Sequence, residues 1–431
     1  MVSKQAIGFL ILSCLNISFS SNAQSLDGLG NQQIYTQNEW NNTYLNQFSD
    51  FKKDSTLHNK GLLNSLKDQG ITFGISETLA GYYNFVGGIR SGSAKASTFD
   101  LNISADLKKW MGIPGGMFYA DLEDHAGDNP TKTLTRDFQV FDKHNAAPFL
   151  QILELWYQQK LFSNKLRIKI GKIDANSEFS VIDNGLKFIS SSTQVTPTFF
   201  VFPTFPDPVP GLNIFFTPGK HFYTNFAIDD ANRSDHFLNF YGDPTDVQPT
   251  PHGELLISES GLNWDHLPVL NTDGNLKLGF WKHTGTFTEF DGDTRKGAEG
   301  SYVIFDQTLW QPTLKPDEKR GLRMYLEYAF TEKYITPTYQ HFGGGMVWIG
   351  PMTNRPDDAI GVSSNYTKLS PGLNVPQSYE LNIETFYKFK VSSWFSIKPD
   401  VQYIINPGGQ FNNALVGTIV LNFTLNSITV R

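Results

Sequence analysis

The 431-residue chain holds one cysteine, Cys14, and that residue lies inside an apolar N-terminal run. A lone thiol builds neither a disulfide framework nor a thiolate metal site. Long hydrophobic runs are also missing. Beyond the N-terminus no uncharged apolar stretch reaches the ~18 residues of a membrane-crossing helix, so helical spans are excluded. Positive charge is not in excess either. With 35 Lys+Arg against 42 Asp+Glu the net charge is −7, which argues against nucleic acid as a partner. The usual enzyme signatures fail: there is no His-Glu-x-x-His, no Gly-x-Ser-x-Gly and no phosphate-cradling Gly-rich loop followed by Lys. Asp291 and Asp293 form only a fragment of a calcium loop. The expectation is therefore no catalytic residue, no cofactor and no metal.

What the chain does have is alternation. Leu322, Met324, Leu326, Tyr328 and Phe330 interleave with Arg323, Tyr325, Glu327 and Ala329, a period of two that gives one apolar and one polar strand face. The same holds for Phe99 to Leu107 and for Tyr379 to Phe389. Aromatics make up 14% of the chain, with 35 Phe, 17 Tyr and 8 Trp, enough for girdles at two membrane interfaces. Many dyad strands with a polar second face predict an all-β protein, an antiparallel transmembrane β-barrel wet inside and lipid-facing outside. Its mildly negative mean hydropathy fits, because only every second residue of the membrane band must be apolar.

Ahead of the strands, Lys4 precedes an apolar run from Ile7 to Leu15 and on to Phe19, followed by Ser21-Asn22-Ala23. This pattern predicts a secretory signal peptide over residues 1–23. Residues 24–60 are polar and aperiodic, a leader, and the barrel domain is expected over 61–431. It opens with a short helix through Leu62, Leu63 and Leu66, stopped by Gly70. Sixteen dyad segments follow between Ile71 and Leu425, the second running from Thr98 to Trp110. At roughly 25 residues per strand and connection, about 16 strands suit a channel-forming barrel.

One hairpin tests the scheme internally. With a two-residue turn at Ser163-Asn164, Lys160 faces Arg167 and Gln158 faces Lys169, while Leu161 faces Leu166. Polar meets polar on one side, so register and facing agree. Between Gly185 and Gly211 the alternation lapses, and five prolines from Pro197 to Pro210 forbid a central strand. Two readings stand equal: a loop folded into the lumen, and an excursion outside it.

Strand parity turns Glu154, Trp156, Arg167, Lys169, Lys277, Trp281, His283, Arg323, Tyr325, Glu327, Glu380, Glu384, Lys388, Lys398 and Asp400 inward. Forked cations, carboxylates and aromatic plates together suit sugars, whose paired hydroxyls both donate and accept. Arg167, Lys169 and Arg323 are the expected donors to sugar hydroxyls, Glu327, Glu380 and Glu384 the acceptors, and Trp156 and Trp281 the stacking surfaces. Glu380 and Glu384 lie four strand residues apart, about 13 Å, too far for a glycosidase pair.

Ordered motifs carry a resemblance. They are Asn84-Phe85-Val86-Gly87-Gly88, Gly171-Lys172-Ile173-Asp174-Ala175-Asn176 with Phe179, Gly300-Ser301-Tyr302 with Asp306-Gln307-Thr308-Leu309, and Pro399-Asp400-Val401-Gln402-Tyr403 through Gly409. In these the chain resembles the carbohydrate-selective porins of the OprB type. That resemblance implies a 16-stranded outer-membrane barrel of a Gram-negative bacterium, passing small sugars by passive diffusion. The expected partners are small sugars within and outer-membrane lipid without; the oligomeric state stays open. Alternatives are a less selective or anion-preferring porin, and an outer-membrane enzyme acting on lipid or glycan.

Overall fold

A computed structural model describes residues 62–231, 238–242, 251–267, 270–313 and 318–426. The signal peptide and leader expected over 1–60 lie outside these residues. Helix α1 (Leu62–Asp68) leads into the sheet through Gly70, whose φ of 89° only glycine adopts readily. The first strands are β1 (Ile71–Gly88), β2 (Gly92–Asp106), β3 (Gly116–Gly127), β4 (Phe149–Leu161), β5 (Leu166–Ile173) and β6 (Val209–Gly219). Next come β7 (Phe222–Asp230), β8 (Asn239–Gly242), β9 (Glu254–Trp264), β10 (Gly274–Thr288), β11 (Thr294–Trp310) and β12 (Gly321–Thr331). The last are β13 (Thr338–Ile349), β14 (Ala359–Leu369), β15 (Tyr379–Lys390), β16 (Phe395–Ile405) and β17 (Asn412–Asn426).

Every pairing among the described residues is antiparallel, and β1 bonds to both β2 and β17, so the sheet closes on itself into a barrel. Sixteen strands make the wall. The seventeenth, β8, is a patch: β5 pairs only with Leu155–Leu161 of β4, and β8 covers the remaining Phe149–Gln151 edge. Four residues are too few to show a dyad, which is why β8 has no sequence signal.

Alternation sorts the two faces as expected. Leu326, Tyr328 and Phe330 are exposed on the outside, while Tyr325, Glu327 and Ala329 are fully buried inside. The β4–β5 register matches the pairing of Lys160 with Arg167 and Gln158 with Lys169. The turn between them differs from expectation: it spans residues 162–165, with Phe162, Ser163 and Asn164 all left-handed. The segment from Thr98 to Trp110 is not all strand. Asp106 caps the backbone N–H of Lys108 and starts α2 (Leu107–Met111), which Gly112 ends in the left-handed region.

Connections divide by length. The end carrying α1 has short turns such as 112–115 and 391–394, whereas the opposite end carries the 128–148 and 174–208 segments. Five of the eight tryptophans, Trp110, Trp264, Trp310, Trp348 and Trp394, sit at the short-turn end, where an interfacial girdle is expected.

Candidate functional site

The lumen is occupied by two long-loop segments, residues 128–148 and 174–208. Of the two readings of the proline-rich stretch, the structure takes the inward one: Phe188, Ile189, Phe199 and Phe202 are all buried against the wall. The first segment carries no comparable proline signal, and its insertion was not foreseen.

Irregular chain leaves backbone N–H groups without ladder partners, and these must be satisfied once buried. Wall carboxylates do it. Asp306 on β11 accepts from the consecutive amides of Asp183 and Asn184 at 3.2 and 3.0 Å. Glu384 on β15 accepts from Ile189 and Ser190 at 2.7 and 3.0 Å. Glu380, one dyad repeat pair earlier, accepts from Phe138 and Gln139, both at 2.9 Å, and from Gly408 at 2.7 Å. Glu259 on β9 takes the Ser180 amide together with the hydroxyls of Tyr223 and Tyr302. A carboxylate has lone pairs for two or more donors, so one side chain pins a dipeptide. The two segments also bond to each other: Lys143 N–H donates to Ile189 C=O, and Ser191 N–H to Val140 C=O.

Rings seat the second segment. Phe199 stacks on Trp281 at 4.7 Å with the planes 8° apart, and Phe188 packs edge-on against Tyr325 and Phe386. Tyr302 lies flat over its cross-strand partner Gly279, where a Cβ would fall 2.0 Å from the ring. Only glycine permits that approach.

Beside β5 is an ionic clamp. Arg167 holds Glu178 through two nitrogens at 2.9 and 2.8 Å, and Lys169 reaches the same carboxylate at 3.0 Å. The guanidinium rests 3.5 Å from the Phe215 ring centre, the ammonium 4.1 Å from Trp156, which in turn stacks on Tyr119. Burial alone would raise the Glu178 carboxyl, but the two cations outweigh it and hold it at about 2. Glu178 lies in an aperiodic stretch, so parity could not single it out.

The expected sugar-contacting residues therefore fall into separate places. Arg167, Lys169 and Trp156 form one cluster around Glu178; Trp281, Glu380 and Glu384 are engaged with the inserted segments; Glu327 lies 3.0 Å from His341 Nδ1, both fully buried. Arg323 alone of the set is half-exposed, with a buried Nε that has no partner. Two charged arcs remain. Register sets Asp100 beside Glu123 and Asp121 beside Glu154 on β2–β4. Elsewhere Lys398 Nζ donates to Lys187 C=O at 3.1 Å and Lys143 Nζ to Leu186 C=O at 3.3 Å, bringing these lysines to one stretch of backbone. Burial and the neighbouring Lys388, Arg323, Lys143 and Lys398 push Lys187 down to about 7; burial and Lys398 do the same to Lys143.

Among the described residues no cluster of His, Cys, Asp and Glu suits a metal ion. A comparison with curated protein sequences returns no match. Solved structures of similar fold include OprB of Pseudomonas putida at high pH, with 19% identity and a TM-score of 0.74 over 86% of this chain and 100% of that one. The low-pH structure of the same porin has 17% identity and a TM-score of 0.56, covering 93% and 100%. OmpF of Salmonella typhi, in complex with daunomycin, has 7% identity and a TM-score of 0.55, covering 83% and 98%. The family model of the carbohydrate-selective porins, OprB family, matches residues 90–425. With most of its length inside that match and a closed 16-stranded wall around a polar lumen, the chain belongs to the OprB family of carbohydrate-selective porins, outer-membrane channels rather than enzymes.

Proposed function

We propose that small carbohydrates diffuse passively through the part of the lumen that the two anchored segments leave open, from the long-loop end outside the cell to the short-turn end in the periplasm. The single observation carrying this reading is that wall carboxylates pin both segments by their backbone, so the constriction is built into the fold. Half-exposed polar groups, among them Ser76, Asp100, Lys187, Arg323 and Lys388, line what remains. They offer donors and acceptors to hydroxyls. Arg323 is the sugar donor of this reading. Arg167, Lys169, Glu380, Glu384, Trp156 and Trp281 act one step back, holding the segments that shape the passage, and Glu327 braces the wall through His341. Hydrocarbon covers the outward residues such as Leu326 and Phe330. Liposome swelling with the purified protein tests it: glucose should enter faster than into protein-free vesicles. Equal rates would end the proposal.

A further inference from the structure

The lysines and arginine around Lys187 are an excess of one charge where the fold supplies little of the other. Lys187 comes from the second segment, Lys143 from the first, Arg323 from β12, Lys388 from β15 and Lys398 from β16. The carboxylates whose charge reaches these cations are three: Asp142, Glu384 and Asp400. Each has another partner. Asp142 bonds the His144 ring and amide, Glu384 the Ile189 and Ser190 amides, and Asp400 the Gln402 side-chain amide. The charged neighbours of Lys187 are four cations, and those of Lys388 are Lys398 and Lys390. Arg323 keeps a buried guanidinium N–H unpaired. These cations gather because their backbone positions are fixed; Asp142, Glu384 and Asp400 offset part of the charge at Lys143 and Lys398, and five cations against three shared carboxylates leave an excess at Lys187, Lys388 and Arg323.

We propose that this cluster is a binding site for an anionic group, carboxylate or phosphate, on a sugar-sized molecule, so that the channel favours acidic carbohydrates such as uronates and sugar phosphates over neutral ones. The inference rests on the channel reading above and narrows its substrate class. A neutral hydroxyl accepts a hydrogen bond but leaves the mutual repulsion of the cations in place; an anion removes it. The carboxylates Asp100, Asp121, Glu123 and Glu154 face the same lumen from β2–β4. Asp100, the partly exposed member, offers an acceptor to the hydroxyls of a sugar ring. A molecule with an anionic end and a hydroxyl-bearing body matches the chemistry of both arcs.

Single-channel recording in planar bilayers with the full-length protein tests this. Glucose, glucuronate, glucose 6-phosphate and inorganic phosphate are each added to one side, and association rates are read from current interruptions. In 0.1 M KCl, glucuronate and glucose 6-phosphate should associate roughly tenfold or more faster than glucose, as expected of a cleft lined by one sign of charge. Raising KCl to about 1 M, where the Debye length shrinks to about 3 Å, should reduce that ratio without any mutation. Lys187→Gln and Arg323→Gln should each bring the ratio towards one. A wild-type ratio of one, or a ratio unchanged in both variants, overturns the inference. Inorganic phosphate interrupting as effectively as glucose 6-phosphate also overturns it, since the sugar body would then play no part. Failure of every sugar to enter, glucose included, would instead strike the channel reading beneath it.

Discussion

Replacing Glu178 by Gln should loosen the first turn of the 174–208 segment while leaving the barrel closed. In the native protein the carboxylate meets Arg167 and Lys169, all three being nearly excluded from solvent. Glutamine keeps the shape but not the charge, so two cations stay buried against a neutral amide. Breaking a buried ion pair by removing one partner costs about 3–5 kcal/mol. The other anchors, at Glu259, Asp306 and Glu384, are untouched, so the penalty falls on local opening around residues 174–180 and not on the wall. At about 1.4 kcal/mol per decade, local opening there becomes roughly 10²–10⁴ times more frequent. Hydrogen exchange with mass spectrometry on the detergent-solubilised protein reads this directly: peptides covering 174–180 should exchange faster by that factor, with strand peptides unchanged. Adding Arg167→Met should recover part of the loss, because a smaller uncompensated charge then remains. Unchanged exchange in the single variant would refute the clamp.

Glu384→Gln removes a charged acceptor from the Ile189 and Ser190 amides, a loss of about 1.5–3 kcal/mol, and should appear as added open-channel current noise. Trp281→Ala strips the plate under Phe199; exchange around Phe199 should accelerate while the strand β10 itself stays protected. Tyr328→Arg places a cation on the hydrocarbon face and should lower barrel stability by up to about 2–4 kcal/mol, measured by urea unfolding in detergent or lipid. Anion preference should fall as pH rises from 6 to 9. Lys187 and Lys143, both held near 7, are charged below that value and neutral above it, against Arg323, Lys388, Lys398, Asp142, Glu384 and Asp400 around them. A reversal potential that does not move over this range would contradict that assignment.

The wall was readable because hydrocarbon and water impose opposite demands on neighbouring side chains, and a strand converts that into a period of two. Hence the β4–β5 register followed from Lys160 and Arg167, and the inward face of β15 from Glu380 and Glu384. Parity names the side a residue occupies but not its partner there. Glu380 was legible as inward; that it would hold the Phe138 and Gln139 amides was not, since those lie some 240 positions earlier in a stretch with no period. The same blindness applies to Glu178 and Lys187, charges on irregular chain. The Leu107–Met111 helix was hidden because Leu107-Lys108-Lys109-Trp110-Met111 prolongs the preceding alternation, and only the Asp106 cap and Gly112 stop distinguish it.

The carboxylate staples on β11 and β15 grip consecutive main-chain amides, with the Asn184 side-chain amide as one further donor to Asp306. Position and chemistry are thereby separated: a residue such as Lys187, two places from a pinned amide, can be exchanged for another without surrendering the path of the backbone. The same barrel can thus be re-lined for a different solute by substitutions confined to one short stretch of chain.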